Sequence, residues 1–258
     1  MQTVAHISEN DFIAFFCHEM DGENKHIFQQ HLQKCQQCIG DFETYQNIFD
    51  GMQTIFQSQG KEISPSQMHT IMLEETQKRK IYYSRLNFSG FPSISAAMTN
   101  LGLVKIFLGE MDLFKLDERL NRLFPGKWLI HSEEALYPVQ KQLQEYFNKR
   151  RTSFDLQLDR SLIKGDFQSK VLDEIMHLGF GEHLTYGELA KRINQPTASR
   201  AVGNALGKNP IPIIIPCHRI LAGHGQLGGF TGGIELKKEL LKIENIYHSS
   251  VNDQLSLF

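Results

Sequence analysis

Three residues that could do chemistry stand side by side: Cys217, His218 and Arg219, near the end of NPIPIIIPCHRIL, Asn209 to Leu221. A thiol near its reference pKa of about 8.5 is only a few per cent ionised at neutral pH. A catalytic thiol therefore needs a base or a positive environment. His218 offers the base and Arg219 the charge, so the neighbourhood is expected to favour a thiolate. The apolar run ending at Pro216 reads as a buried strand that has just stopped. Adjacent residues in extended chain point to opposite sides, so a Cys–His relay here needs a bridging water or a turn at Cys217. A histidine acting as base also wants an acid to fix its tautomer. Glu244, in LKKELLKIEN, is a candidate that the sequence does not by itself select. A buried structural cysteine beside a satisfied core histidine is the competing reading.

A second cluster lies far away, in HLQKCQQC: His31, Cys35 and Cys38. On a helix these share one face, and three such ligands suit tetrahedral zinc. A fourth has to come from elsewhere, with His6, Cys17, His18 and His26 available. The bland alternative is two cysteines packed among polar neighbours.

Charge adds a third signal. The chain has 258 residues and a formal net charge of -2, yet Leu189 to Ile234 contains no Asp or Glu. That span holds Lys191, Arg192, Arg200, Lys208 and Arg219. A purely basic stretch in a weakly acidic chain is an electrostatic footprint for phosphate, although a solvated basic face gives the same pattern. Small residues (Ala198, Ala201, Gly203, Ala205, Gly207) let the backbone there approach a surface closely.

Elements must position these groups. Ser8 precedes an apolar-periodic helix carrying Phe12, Ile13 and Phe16, and His26 to Phe49 reads as one longer helix. Residues 61–90 read as a polar connector with a helix starting at Ser64-Pro65. From Ser93 the runs SISAAMT and GLVKIFLG read as strands joined by a turn at Asn100–Gly102. Helices are expected near Lys115–Phe124 and Ala135–Lys149, followed by an extended TSFDLQL. FQSKVLDEIMHLG is amphipathic. Thr185-x-x-Glu188 is a capping box that starts a helix, and a second helix from Thr197 turns Ala201, Val202, Ala205 and Leu206 inward. That pair reads as helix-turn-helix. No run of 18 or more apolar residues appears, the start MQTVAHISEND is no secretory signal, and the four cysteines form no disulfide framework. A cytoplasmic chain without a membrane span is expected.

Taken together, FQSKVLDEI, GEHLTYGELA, PTASRAVGNALGKNPIPIIIPCHRIL, GQLGGFTGG and LLKIE resemble the O6-alkylguanine-DNA alkyltransferases in order and spacing. The resemblance covers Phe167 to Asn245 strongly and reaches weakly upstream to Ser93. It implies that Cys217 accepts the alkyl group from guanine O6. His218 then takes the thiol proton through a water, and Glu244 orients His218. Arg200 matches the arginine that enters the duplex in place of the flipped base. Tyr186 matches the tyrosine that turns the target phosphate and donates a proton to guanine N3. Ala198, Ser199, Gly203 and Lys208 complete the implied DNA contacts. Asn209 braces the cysteine turn beside Arg219. Gly228, Gly229, Phe230 and Thr231 form the pocket lid, and the carbonyls of Cys217 and Ile220 read the guanine amino group. Phe230 stands where tyrosine is usual, and Leu172 where tryptophan is common. Residues 6–45 resemble the zinc-finger module of zinc-binding anti-sigma factors, through Met20-Asp21-Gly22-Glu23 and His31-Leu32-x-x-Cys35-x-x-Cys38; that match makes His6 the fourth ligand.

The expected architecture is α/β plus α. It comprises a helical zinc-finger-like module at 1–60, a linker helix at 61–90 and a ribonuclease-H-like α/β domain at 91–160. A winged helix-turn-helix alkyltransferase domain at 161–248 and a tail at 249–258 follow. The expected activity is single-turnover repair of O6-alkylguanine, and of O4-alkylthymine, in double-stranded DNA by a monomer. It needs no catalytic cofactor, and it carries a structural zinc. The alternative is an alkylation- or redox-sensing regulator whose N-terminal module meets a sigma-factor-like partner.

Overall fold

The computed structural model of the protein describes residues 6–223 and 226–247, and the expected tail at 249–258 lies outside them. The chain divides into two compact units, Met1–Arg79 and Lys80–Phe258.

The first unit is helical. Helix α1 (Glu9–Phe16) starts at a full capping box, Ser8 with Asp11, which satisfies two of its open backbone donors. Helix α2 (Gly22–Leu32) is capped by Asp21. Helices α3 (Gln36–Ser58) and α4 (Pro65–Arg79) follow. The single helix expected over His26–Phe49 is thus two, broken at Gln33–Cys35, where Cys35 is extended (φ -114°, ψ 101°). No proline or glycine marks the break in the sequence. What enforces it is packing, since Phe28 of α2 and Tyr45 of α3 both reach Phe12 of α1.

The second unit opens with a mixed sheet of order β3-β2-β1-β4. Strands β1 (Lys80–Phe88), β2 (Phe91–Thr99) and β3 (Gly102–Leu108) are antiparallel neighbours. Helix α5 (Leu113–Leu123) leads to β4 (Trp128–His131), which runs parallel to β1. Helix α6 (Glu133–Phe147) packs on β1 and β2. Strand β1 occupies residues expected to be connector: α4 ends at Arg79 and β1 starts at Lys80, so no turn residue announces it. At the β2–β3 turn, Gly102 has φ +126° and a Cβ there would lie 2.3 Å from the Gln157 carbonyl oxygen. Only glycine fits that approach.

Helix α7 (Asp166–Met176) then packs on α8 (Tyr186–Arg192) and α9 (Ser199–Gly207). Strand β5 (Leu184–Thr185) pairs parallel to β6 (Ile220–Leu221), and helix α10 (Ile234–Ile243) closes the unit. The capping box Thr185–Glu188 is present. Helix α9 begins at Ser199 rather than Thr197, and Ala201 is exposed while Val202, Ala205 and Leu206 are buried as expected. The expected strand before Cys217 does not form. Residues 209–216 are buried turns with one isolated bridge, Pro212 to Ile215. Pro210, Pro212 and Pro216 each lack the N–H a ladder requires. One apolar core runs from Leu86 and Ile94 of the sheet through Leu143 and Tyr146 to Val171, Leu189, Ile215 and Leu240.

Candidate active site

Cys217 sits at the first position of a short 3-10 turn, Cys217–Arg219, so the turn that a relay needs is present. The loop before it is strained: Ile213 has φ 76°, a left-handed conformation that costs a β-branched residue of order 1–3 kcal/mol. Asn209 holds this loop together. Its Nδ2 donates to the Ile215 carbonyl at 2.9 Å and to the Cys217 sulfur at 3.1 Å, and its Oδ1 accepts from Ile211 N at 3.0 Å.

The cysteine is only 5% exposed, and its exposed edge is part of the wall of a cleft of about 360 Å³. Tyr186, Gly203, Leu206, Gly207, Gly229, Phe230 and Thr231 complete that wall. Tyr186, the first residue of α8, donates from its hydroxyl to the Gly229 carbonyl at 3.4 Å. Gly228 has φ +68°, and a Cβ there would lie 2.9 Å from the Tyr186 ring, so glycine lets the 228–233 loop lie against that ring. Thr231 donates to the Gly207 carbonyl at 3.4 Å, joining the loop to the end of α9.

Behind the sulfur lies a fully enclosed polar network. His218 is completely buried, and its Nε2 lies 3.0 Å from Glu244 Oε1. A carboxylate only accepts, so Nε2 carries the proton and Nδ1 is the accepting nitrogen. Nδ1 has no hydrogen-bond partner among the described residues. Arg219 grips the same carboxylate with two bonds, Nε to Oε2 at 2.8 Å and Nη2 to Oε1 at 2.9 Å. Tyr146 of α6 donates to Oε1 at 2.6 Å. Burial by itself would raise the Glu244 carboxyl, but the bonds and charges of His218 and Arg219 outweigh it and bring the carboxyl down to about 2. Burial lowers His218 against the pull of Glu244, with Arg219 and Lys237 adding to the lowering. The imidazole is therefore neutral at pH 7.

Sequence neighbours do not make Cys217 a thiolate. Arg219 is committed to Glu244, and burial pushes the thiol up to about 11 against the Asn209 bond and the Lys237 charge. Arg219 is also withdrawn from the basic surface, leaving Lys191, Arg192, Arg200 and Lys208 as its exposed cations. Arg200 projects from the first turn of α9, Lys208 caps its end, and Gly203 faces Tyr186. Ala198 and Ser199, at the start of α9, are half-buried. The two carbonyls expected to read guanine both have partners within the chain. Cys217 O accepts from Ile220 N, and Ile220 O accepts from Lys237 Nζ at 2.6 Å.

Two buried residues of this site escape the sequence. Tyr146 ends an apolar stripe of α6, and its partner Glu244 is 98 positions away. Lys237 is completely buried and donates to the carbonyls of Ile220, Leu227 and Gly229, which ties the 226–233 segment down. Its place between Leu236 and Leu240 on the apolar face of α10 is the signal that could have found it.

Residues 166–246 match the family profile described as the DNA-binding domain of 6-O-methylguanine DNA methyltransferase. An inducible methylated-DNA–protein-cysteine methyltransferase of Bacillus subtilis is 33% identical over 170 residues, covering 66% of this chain and 93% of that one. The chain belongs to the methylated-DNA–protein-cysteine methyltransferase family. A Methanosarcina acetivorans relative of the same name is 42% identical over 120 residues, 46% of this chain and 75% of that protein. Among solved structures, Mycobacterium tuberculosis OGT in complex with DNA superposes with a TM-score of 0.54 at 33% identity, over 63% of this chain and 92% of that one. The O6-methylguanine methyltransferase of the same organism gives 0.55 at 31% identity, over 67% and 96%.

The methyltransferase profile begins at residue 166, so the cysteine cluster of the first unit lies outside it. There, ligand atoms of His6, His31, Cys35 and Cys38 all fall within 4.8 Å of one another. His31 ends α2, while Cys35 and Cys38 start α3. The ligands therefore meet at the α2–α3 bend and not on one helix face as expected. Cys35 Sγ and Cys38 Sγ lie 3.4 and 3.5 Å from His6 Nδ1, close to the roughly 3.5 Å edge of a zinc tetrahedron with bonds of about 2.0–2.3 Å. His31 Nε2 is buried, with no hydrogen-bond partner among the described residues. This donor set fits zinc. Cys17 is separate, buried against the Met72 sulfur at 4.0 Å.

Among the described residues, no helix is long and apolar enough to cross a membrane.

Proposed function

We propose that this methyltransferase repairs DNA by taking O6-alkylguanine out of the duplex and moving its alkyl group onto the sulfur of Cys217, once per molecule. The observation that carries this reading is one buried thiol forming part of the wall of a cleft, with a neutral, carboxylate-oriented imidazole behind it. In the proposed step the Cys217 sulfur–alkyl carbon bond forms as the carbon–O6 bond breaks. The thiol proton passes by way of a water to Nδ1 of His218, guanine leaves neutral after Tyr186 has supplied a proton at N3, and the His218 proton returns through solvent to the Tyr186 phenolate. The net exchange is one proton for one alkyl group.

Removing a base from the stack costs a few kcal/mol. Arg200, exposed on α9, is the side chain that fills the gap, and Lys191, Arg192 and Lys208 hold the phosphates. Gly228, Gly229, Phe230 and Thr231 close over the base. The amino group of guanine meets the second lone pairs of the Cys217 and Ile220 carbonyls. Under this reading the β1–β4 sheet with its helices is the ribonuclease-H-like domain, and α7–α10 with β5–β6 are the winged helix.

Intact mass after incubation with an O6-methylguanine duplex tests this. One methyl per chain, mapped to Cys217 and lost in Cys217→Ala, is the expected result. An unmodified protein at stoichiometric excess of substrate overturns it. An O4-methylthymine duplex run beside it reports the second substrate. We further propose that His6, His31, Cys35 and Cys38 hold a structural zinc in the first unit. Metal analysis of purified protein should give one zinc per chain, lost in Cys35→Ser with Cys38→Ser. A metal-free preparation with the same melting curve would overturn this.

A further inference from the structure

We propose that Tyr146 is a positioning residue for the alkyl transfer: its hydroxyl limits how strongly Glu244 binds the His218 proton and so keeps the imidazole free to receive one. The proposal rests on the Glu244–His218 relay described above and adds to it a residue from the sheet region. The geometry is specific. Tyr146 is completely buried, and its hydroxyl donates to Glu244 Oε1 at 2.6 Å, the oxygen that His218 Nε2 reaches at 3.0 Å. The same hydroxyl lies 3.4 Å from Nε2 itself. Oε1 therefore serves three donors, from Tyr146, His218 and Arg219, while Oε2 takes Arg219 Nε and the Gly181 amide.

A carboxylate whose lone pairs are shared among several donors is a weaker partner for each. In a buried site that sharing acts at low dielectric, where each bond matters more. With the phenol gone, Oε1 has more charge to offer the Nε2 proton, and the imidazolium is stabilised. An imidazolium already carries a proton on Nδ1 and cannot take one from Cys217, so stabilising it extends the inactive range to higher pH. The other groups facing this pair are Arg219 beside it in the chain, Lys237 of α10, Cys217, and Tyr186 of α8 facing the sulfur. The phenylalanine variant alters none of these. The Tyr146 ring is held among Phe147, Phe154 and Phe180, contacts that phenylalanine keeps.

The test is the single-turnover rate of methyl transfer from an O6-methylguanine duplex as a function of pH, for the unmodified chain, Tyr146→Phe and His218→Gln. In Tyr146→Phe the acid limb should move up by roughly half a unit to one unit, as expected for losing one bond to a charged group. The alkaline side of the profile should be little changed. A Tyr146→Phe profile that superimposes on the unmodified one, or that is lowered by one factor at every pH, overturns the proposal and leaves the relay intact. An acid limb that persists unchanged in His218→Gln overturns the relay itself.

Discussion

Replacing Glu244 by glutamine tests how much of the second unit's stability is held in one carboxylate. Glu244 is 2% exposed and accepts from Tyr146, His218, Arg219 and the Gly181 amide. Its carboxyl falls from an ordinary 4.5 to about 2. A difference of that size is worth about 3 kcal/mol of folding free energy at 1.36 kcal/mol per unit. The folded value lies below the unfolded one, so this contribution is fully present above pH 4.5 and is lost as the pH falls toward 2. An independent route gives a similar size: breaking a buried pair from one side costs about 3–5 kcal/mol, because the remaining charge stays desolvated. In Glu244→Gln that charge is Arg219, and the new amide places donors against donors. Urea unfolding at pH 7 should show a loss of about 3 kcal/mol. A second series between pH 5 and pH 2 should show a shallower acid decline in the variant than in the parent. A loss under about 1 kcal/mol, or an unchanged acid decline, would refute the reasoning, because the carboxylate would then be replaceable by any polar group of its shape.

Three other outcomes follow from the same geometry. Cys217, with its thiol pushed up to about 11 from 9, should react with iodoacetamide roughly a hundred-fold more slowly than a free thiol at pH 8, read by mass spectrometry of the native protein; an equal rate would show that the sulfur is not desolvated. Affinity for duplex DNA should fall with salt at a logarithmic slope near -3, as about three phosphate contacts from Lys191, Arg192 and Lys208 imply, and Arg200→Ala should slow transfer from duplex DNA; a flat salt dependence would move the DNA face elsewhere. Gly228→Ala, with φ +68° and a Cβ 2.9 Å from the Tyr186 ring, should cost about 1–3 kcal/mol locally and slow methyl transfer, measured in the same single-turnover assay; an unchanged rate would free the loop from any part in holding the base.

The parts of the site that lie close together in sequence were legible there. The capping boxes at Ser8 and Thr185 follow a local rule, and both are present. Asn209 braces a loop only a few residues on, and His31, Cys35 and Cys38 meet within a few residues of one bend. What was illegible depends on distance or burial. Strand β1 follows α4 without punctuation, and the break between α2 and α3 is set by aromatic packing rather than by a breaker residue. Tyr146 acquires meaning only when α6 meets α10, and Arg219 reads as surface charge until the fold turns it inward. The sequence misleads most on electrostatics. Placing a base and a cation beside a thiol in sequence says nothing about the desolvation that decides its ionisation.

That desolvation bears on how the site works. A thiol held near 11 carries about one thiolate in ten thousand at pH 7, so the resting sulfur is protected from stray electrophiles. Ionising it in advance would cost about 5 kcal/mol at that pH. The proposed reaction avoids this cost by removing the proton as the alkyl group arrives. It needs only an acceptor that is neutral and correctly turned. Burial keeps His218 neutral, and Glu244 turns Nδ1 away from itself by occupying Nε2. Each feature that makes the thiol inert thus also prepares its base, and the proposed single transfer gains from both. A variant that exposes Cys217 to solvent should then modify faster with iodoacetamide yet transfer methyl groups from DNA more slowly. If both rates rose together, the buried relay would be a by-product of packing and not the source of reactivity.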